Sequence, residues 1–131
     1  MLTRDRTMVR ILPRLLLVVT AASFSFTAQA ADPAKGKTLF QAQCALCHGV
    51  TATARGIGPT LFGVVGRKAG TVPGFAYSPA MKKWGNIWKQ PVLDSYITAP
   101  MKLVPGSRMP YAGLKDATKR ADLVAYLATL K

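Results

Sequence analysis

The two cysteines and the single histidine of this chain fall within five consecutive residues, Cys44-Ala45-Leu46-Cys47-His48. No other thiol or imidazole exists from which to build a cross-link or a metal site, so this pentapeptide bounds what the chain can fold into. A disulfide between residues three apart closes a tiny loop and restrains the unfolded chain little. A zinc ion wants four ligands and would have to borrow a carboxylate. A thioredoxin-like redox pair belongs to a βαβ context. The sequence shows no alternating strand pattern to supply one.

The first thirty residues read as an address. Arg4, Arg6, Arg10 and Arg14 form a positive leader, Leu15 to Phe26 is apolar, and Ala28-Gln29-Ala30 offers small residues before a cut at Ala31. This is the three-part pattern of a secretory signal, so residues 1–30 are expected to be cleaved and residues 31–131 exported to the periplasm. The apolar stretch, interrupted by Thr20, Ser23 and Ser25, falls short of the roughly 20 residues that a spanning helix needs.

The exported part has little with which to build a core. Asp32-Pro33 reads as a helix start, Asp as cap and Pro at the first helical position, with the helix running to about Ala45. From His48 to Ser78 there is little periodicity, and Gly56-Ile57-Gly58-Pro59 and Val72-Pro73-Gly74 read as turns. Ser78-Pro79 opens a short helix. Pro91 to Ala99 forms another, stopped by Pro100, and residues 100–113 return to loop. Asp116 caps a last helix to Leu130, in which Leu123, Tyr126, Leu127 and Leu130 form one apolar stripe. About 100 residues, a third of them irregular, give a thin core, and small exported domains usually need a staple or a cofactor.

A large apolar cofactor would supply the missing core, and the pentapeptide has the spacing for one. Cys-x-x-Cys-His is the pattern of c-type haem attachment. At a helix end Cys44 and Cys47 face one side, each thiol can add across one haem vinyl group, and His48 reaches the iron. A carrier that only moves electrons needs the opposite axial position filled too. With no second histidine, a methionine thioether is the natural partner. Met81, Met101 and Met109 lie outside the signal. Met109 sits between Pro105-Gly106 and Gly113, a turn framework that presents sulfur inward, although any of the three can be core filler.

On these residues the chain resembles the class I c-type cytochromes, of the mitochondrial cytochrome c and bacterial cytochrome c2 type. Beside the attachment motif and Pro105-Gly106-x-x-Met109, the ordered pieces are Gly58-Pro59-x-Leu61, Gly66-Arg67-Lys68-x-Gly70 and Pro73-Gly74-Phe75-x-Tyr77. The resemblance implies an all-α cytochrome c fold of three to five short helices and long loops around one covalent haem c. It implies His48 and Met109 as axial ligands, with the Pro59 carbonyl accepting the other imidazole N–H. Arg67, Tyr77 and Trp88 fall where the family contacts a buried propionate, and Tyr96 where it places a tyrosine near the methionine sulfur. Gly36, Phe40 and Tyr126 match the crossing of the first and last helices. Three positions depart from the pattern. Tyr111 stands where Phe is common, Met81 where a polar residue is common, and Gln43 where a basic one is.

Charge bears on the partner. The chain is formally +13. Residues 31–131 keep 14 of the 18 basic and four of the five acidic side chains, a formal +10. Without a nucleic-acid module or a dense basic run, such a balance favours docking on acidic proteins or membrane complexes. The resemblance implies that Lys102, Arg108 and Lys115 steer around the haem edge, with Lys82 and Lys83 as further candidates. The expected function is a monomeric periplasmic electron carrier, not an enzyme, serving a bc1 complex, an oxidase, a reaction centre or a dehydrogenase. A haem enzyme or gas sensor with an open iron site is the competing class, but nothing near Met109 reads as a distal acid–base pair. A fixed dehydrogenase subunit is the third possibility.

Overall fold

The computed structural model describes residues 29–131, so all but the last two residues of the expected signal lie outside the described residues. Among the described residues the fold is all-α, with five helices and long loops. They are α1 (Pro33–Gln43), α2 (Pro79–Trp84), α3 (Gln90–Thr98), α4 (Pro100–Leu103) and α5 (Ala117–Leu127). None is long and apolar enough to cross a membrane.

Local chemistry sets the helix starts. The Asp32 carboxylate accepts from the backbone N–H groups of Ala34 and Lys35 at 2.9 and 3.3 Å, satisfying donors that a helix leaves open at its first turn. Ser78 does the same for Met81 at 3.1 Å, and Asp116 for Lys119 at 3.0 Å. Three expected boundaries move. The α-helix of α1 ends at Gln43, not Ala45, because the chain tightens there into turns. Pro100 does stop α3, but residues 100–113 are not all loop. Pro100 itself opens α4, since proline lacks only an N–H that the first helical turn leaves unused. α5 ends at Leu127, and a further turn carries the chain to Leu130, whose carbonyl accepts from the Gly63 N–H at 2.7 Å.

The principal helix contact is the crossing of α1 and α5. Gly36 sits there with no room for a side chain. A Cβ would lie 2.0 Å from the Asp122 carbonyl oxygen and 2.8 Å from the Tyr126 Cβ. One turn on, the Phe40 and Tyr126 rings meet with centroids 5.4 Å apart and planes at 51°. The buried Asp122 carboxylate accepts from the Asp32 N–H at 2.7 Å, tying the cap of α1 to α5. Leu123 and Leu127 of the expected apolar stripe are fully buried, whereas Tyr126 and Leu130 are half-buried. On the other side, Trp88 and Tyr96 pack edge to face with centroids 5.0 Å apart, and Trp84 lies against both. The structure thus has two small walls of core, one at the helix crossing and one aromatic, with the attachment motif on the chain that leaves α1.

Candidate haem site

The attachment motif occupies a single turn. The N–H groups of Cys44 and Ala45 both donate to the Phe40 carbonyl at 2.8 and 2.9 Å, closing α1. The N–H groups of Cys47 and His48 then donate to the Cys44 carbonyl at 3.0 and 2.9 Å. Cys44, Cys47 and His48 therefore leave the backbone within one turn. Leu46 between the thiols is 88 % exposed while both cysteines are half-buried, so the spacer faces water and the thiols face the protein. Both thiols are free. Burial, helped by the neighbouring Cys47, pushes the Cys44 thiol up to about 11. A dithiol reductant needs a lowered thiol pKa, so this environment opposes the thioredoxin-like reading. Among the described residues no cluster of three His, Cys, Asp or Glu side chains could hold a metal ion.

His48 is held from two directions. Its Nδ1–H donates to the Pro59 carbonyl at 2.8 Å. Gly58 lies flat against the ring, where a Cβ would stand 2.5 Å from Cε1, 2.7 Å from Nδ1 and 2.9 Å from Nε2. Burial lowers the His48 pKa, with the Pro59 bond pulling the other way. With Nδ1 committed to the Pro59 carbonyl, the Nε2 side of the ring is left for a metal. The sequence marks a turn at Gly56–Pro59, but only the fold makes its second glycine the floor of the imidazole.

The methionine segment is tied down at both ends. Pro105-Gly106 makes the expected turn, with Gly106 at φ +86°, a conformation that side chains resist. The Ser107 N–H donates to the Val104 carbonyl at 3.0 Å, and the Ser107 Oγ bonds the buried Tyr96 hydroxyl at 3.0 Å. The same Oγ accepts a longer bond from the Met109 N–H at 3.4 Å. Tyr96 therefore meets the loop two residues before the methionine, through a serine that the sequence reading did not single out. Met109 is half-buried against the core, and Met81 is fully buried in α2. Met101 is largely exposed, so it is the least suited of the three to an interior role.

Arg67 lies near the Tyr77 side chain and is joined to Trp88 through the backbone, while the Trp88 ring packs on Trp84 and Tyr96. Trp88 N–H donates to the Arg67 carbonyl and Gly66 N–H to the Trp88 carbonyl, both at 2.9 Å. The Arg67 guanidinium donates to the Phe62 and Thr60 carbonyls at 2.6 and 2.7 Å. Burial lowers its pKa, and Tyr77 nearby opposes the shift. Among the described residues no carboxylate pairs with it. A half-buried cation without a protein anion is a fitting partner for a buried carboxylate of a ligand. A cleft of about 230 Å³ lies beside it, lined by Ala52, Arg55, Thr60, Phe62, Val72 and Pro73. A second, of about 90 Å³, shares the Arg55, Thr60, Val72 and Pro73 walls and reaches Gly58 and Pro59.

Two thiols and an oriented imidazole in one turn suit a covalently held porphyrin, and on a five-helix all-α fold they define a small class I c-type cytochrome. The family model described as cytochrome c matches residues 33–131. The cytochrome c2 of Rhodopila globiformis is 50% identical over 100 residues, covering 76% of this chain and 94% of that one. The cytochrome c2 of Rhodomicrobium vannielii is 47% identical over 118 residues, covering 88% and 94%. The solved structure of cytochrome cH from Methylobacterium extorquens superposes with a TM-score of 0.71 at 43% identity, covering 76% of this chain and 99% of that one. The chain belongs to the cytochrome c family. Members of this family carry electrons rather than catalyse reactions, on one covalent haem c, and Cys44, Cys47 and His48 form the attachment motif here.

Proposed function

We propose that this protein is a soluble, monomeric periplasmic shuttle whose haem iron is held by His48 on one side and Met109 on the other. The observation that carries the reading is the fixed imidazole, with Nδ1–H on Pro59 at 2.8 Å and Gly58 against its face. Bound haem would supply a one-electron iron couple. The chain's own residues do the rest. Cys44 and Cys47 would hold the porphyrin through thioethers, and His48 is kept in one orientation. Pro59 raises the imidazole's basicity as a ligand. Tyr96 and Ser107 anchor the loop that offers the Met109 thioether, a ligand that raises the potential. Arg67, Tyr77 and Trp88 would receive a propionate. With His48 and Met109 both engaged, bound haem would exchange only electrons.

The basic surface supports acidic redox partners. Lys102 and Arg108 are exposed beside the methionine loop, and the exposed Lys82 and Lys83 close α2. Lys115 is exposed as well and donates to the Thr98 carbonyl. Export follows from the secretory pattern of residues 1–30. The test is to purify the protein from the periplasm and determine its mass, N-terminus and electron exchange with isolated redox complexes. A monomer beginning near Ala31, carrying one haem and reduced or oxidised by such a complex, is the expected result. A chain that co-purifies as a fixed subunit of a dehydrogenase, or binds cyanide at once when ferric, would overturn the reading.

A further inference from the structure

Gln43, beside the attachment turn, and Tyr111, beside the methionine loop, touch each other. The Tyr111 hydroxyl donates to the Gln43 side-chain carbonyl at 2.7 Å, across 68 positions of sequence. Gln43 is the last residue of α1 and immediately precedes the thiol of Cys44. Tyr111 lies two residues beyond Met109. Its ring is half-buried.

The other ties of this loop run elsewhere. Ser107 bonds Tyr96, and the Leu114 N–H donates to the Ile97 carbonyl at 2.9 Å, both on α3. Arg120 of α5 donates to the Leu114 and Lys115 carbonyls at 3.0 and 2.9 Å. Among the described residues Tyr111–Gln43 is the one hydrogen bond joining residues 104–115 to α1 and the attachment turn. Without it the loop is anchored only on its own side of the site.

We propose that Tyr111 and Gln43 form a clasp that holds the methionine loop against the attachment turn and so keeps Met109 on the iron. They are positioning residues, acting through Met109. This rests on the His48/Met109 reading. A phenylalanine at 111 would keep the ring packing but lack the donor, and a basic residue at 43 would lack the carbonyl acceptor. The bond therefore needs both side chains.

The experiment uses the ferric holoprotein and cyanide as probe. The rate of cyanide entry reports how often the methionine leaves, and the weak far-red band of methionine–iron ligation reports whether it was there. Tyr111→Phe and Gln43→Ala should each speed cyanide entry by about 3- to 10-fold, the worth of one exposed hydrogen bond. The double variant should be no faster than either single one. Gln43→Glu, which retains an acceptor, should stay near the wild-type rate. Unchanged rates in the single variants, or additive effects in the double, would overturn the clasp. A wild type without the far-red band would instead overturn the axial ligation, so the two failures are distinguishable.

Discussion

Replacing Gly58 with alanine isolates the contact that orients His48. Gly58 is not among the residues with positive φ, so alanine carries no backbone penalty there. On that ground alone the change would stabilise the protein by about 0.4–1 kcal/mol, through a less flexible unfolded chain. The added methyl would stand 2.5 Å from the His48 Cε1, where ordinary contact begins at 3.4 Å. The imidazole must retreat by about 1 Å, as overpacked groups do. The ring retreats along its own normal, so the in-plane 2.8 Å bond to Pro59 lengthens only to about 3.0 Å and survives. The overpacking costs about 2 kcal/mol. Less the backbone gain, the net loss is about 1–1.5 kcal/mol. Guanidinium unfolding of the holoprotein, followed by Trp84 and Trp88 fluorescence and by the haem Soret band, measures it. An alanine variant as stable as wild type, or more so, would refute the claim that Gly58 is the floor of the imidazole.

Further outcomes follow from other contacts. Gly36→Ala gains about 1 kcal/mol of helix propensity yet puts a Cβ 2.0 Å from the Asp122 carbonyl oxygen. It should lower stability by about 2–3 kcal/mol in urea melts, because the clash is with backbone. Asp122→Ala leaves the Asp32 N–H without its 2.7 Å acceptor and should cost about 1–3 kcal/mol in the same assay. Electron transfer to an acidic partner should slow as ionic strength rises, in stopped-flow experiments over a salt series. A rate independent of salt would remove the steering role of the basic surface.

Much of the fold was legible because its signals are local. Asp32-Pro33, Ser78-Pro79 and Asp116 mark three helix starts by side-chain capping alone, and all three make their cap bonds. The attachment motif was legible from spacing. The α4 helix was missed because Pro100 was read as a stop, whereas proline stops one helix and starts the next for the same reason, its missing N–H. What sequence could not reveal are the contacts between distant segments. Gly58 against His48, Asp122 on the cap of α1, Ser107 on Tyr96 and Tyr111 on Gln43 join residues whose proximity only the folded chain creates. Trp84 was passed over because nothing in its hexapeptide helix shows that Trp88 and Tyr96 will pack against it.

The proposed grip of iron between the imidazole of residue 48 and the thioether of residue 109 is tested by the far-red absorption of the ferric protein, compared between wild type and Met109→Ala. The expected result is a weak band in the wild type that vanishes in the variant, while Met81→Leu and Met101→Leu retain it. A band that survives Met109→Ala, or disappears only when Met81 or Met101 is replaced, would contradict it.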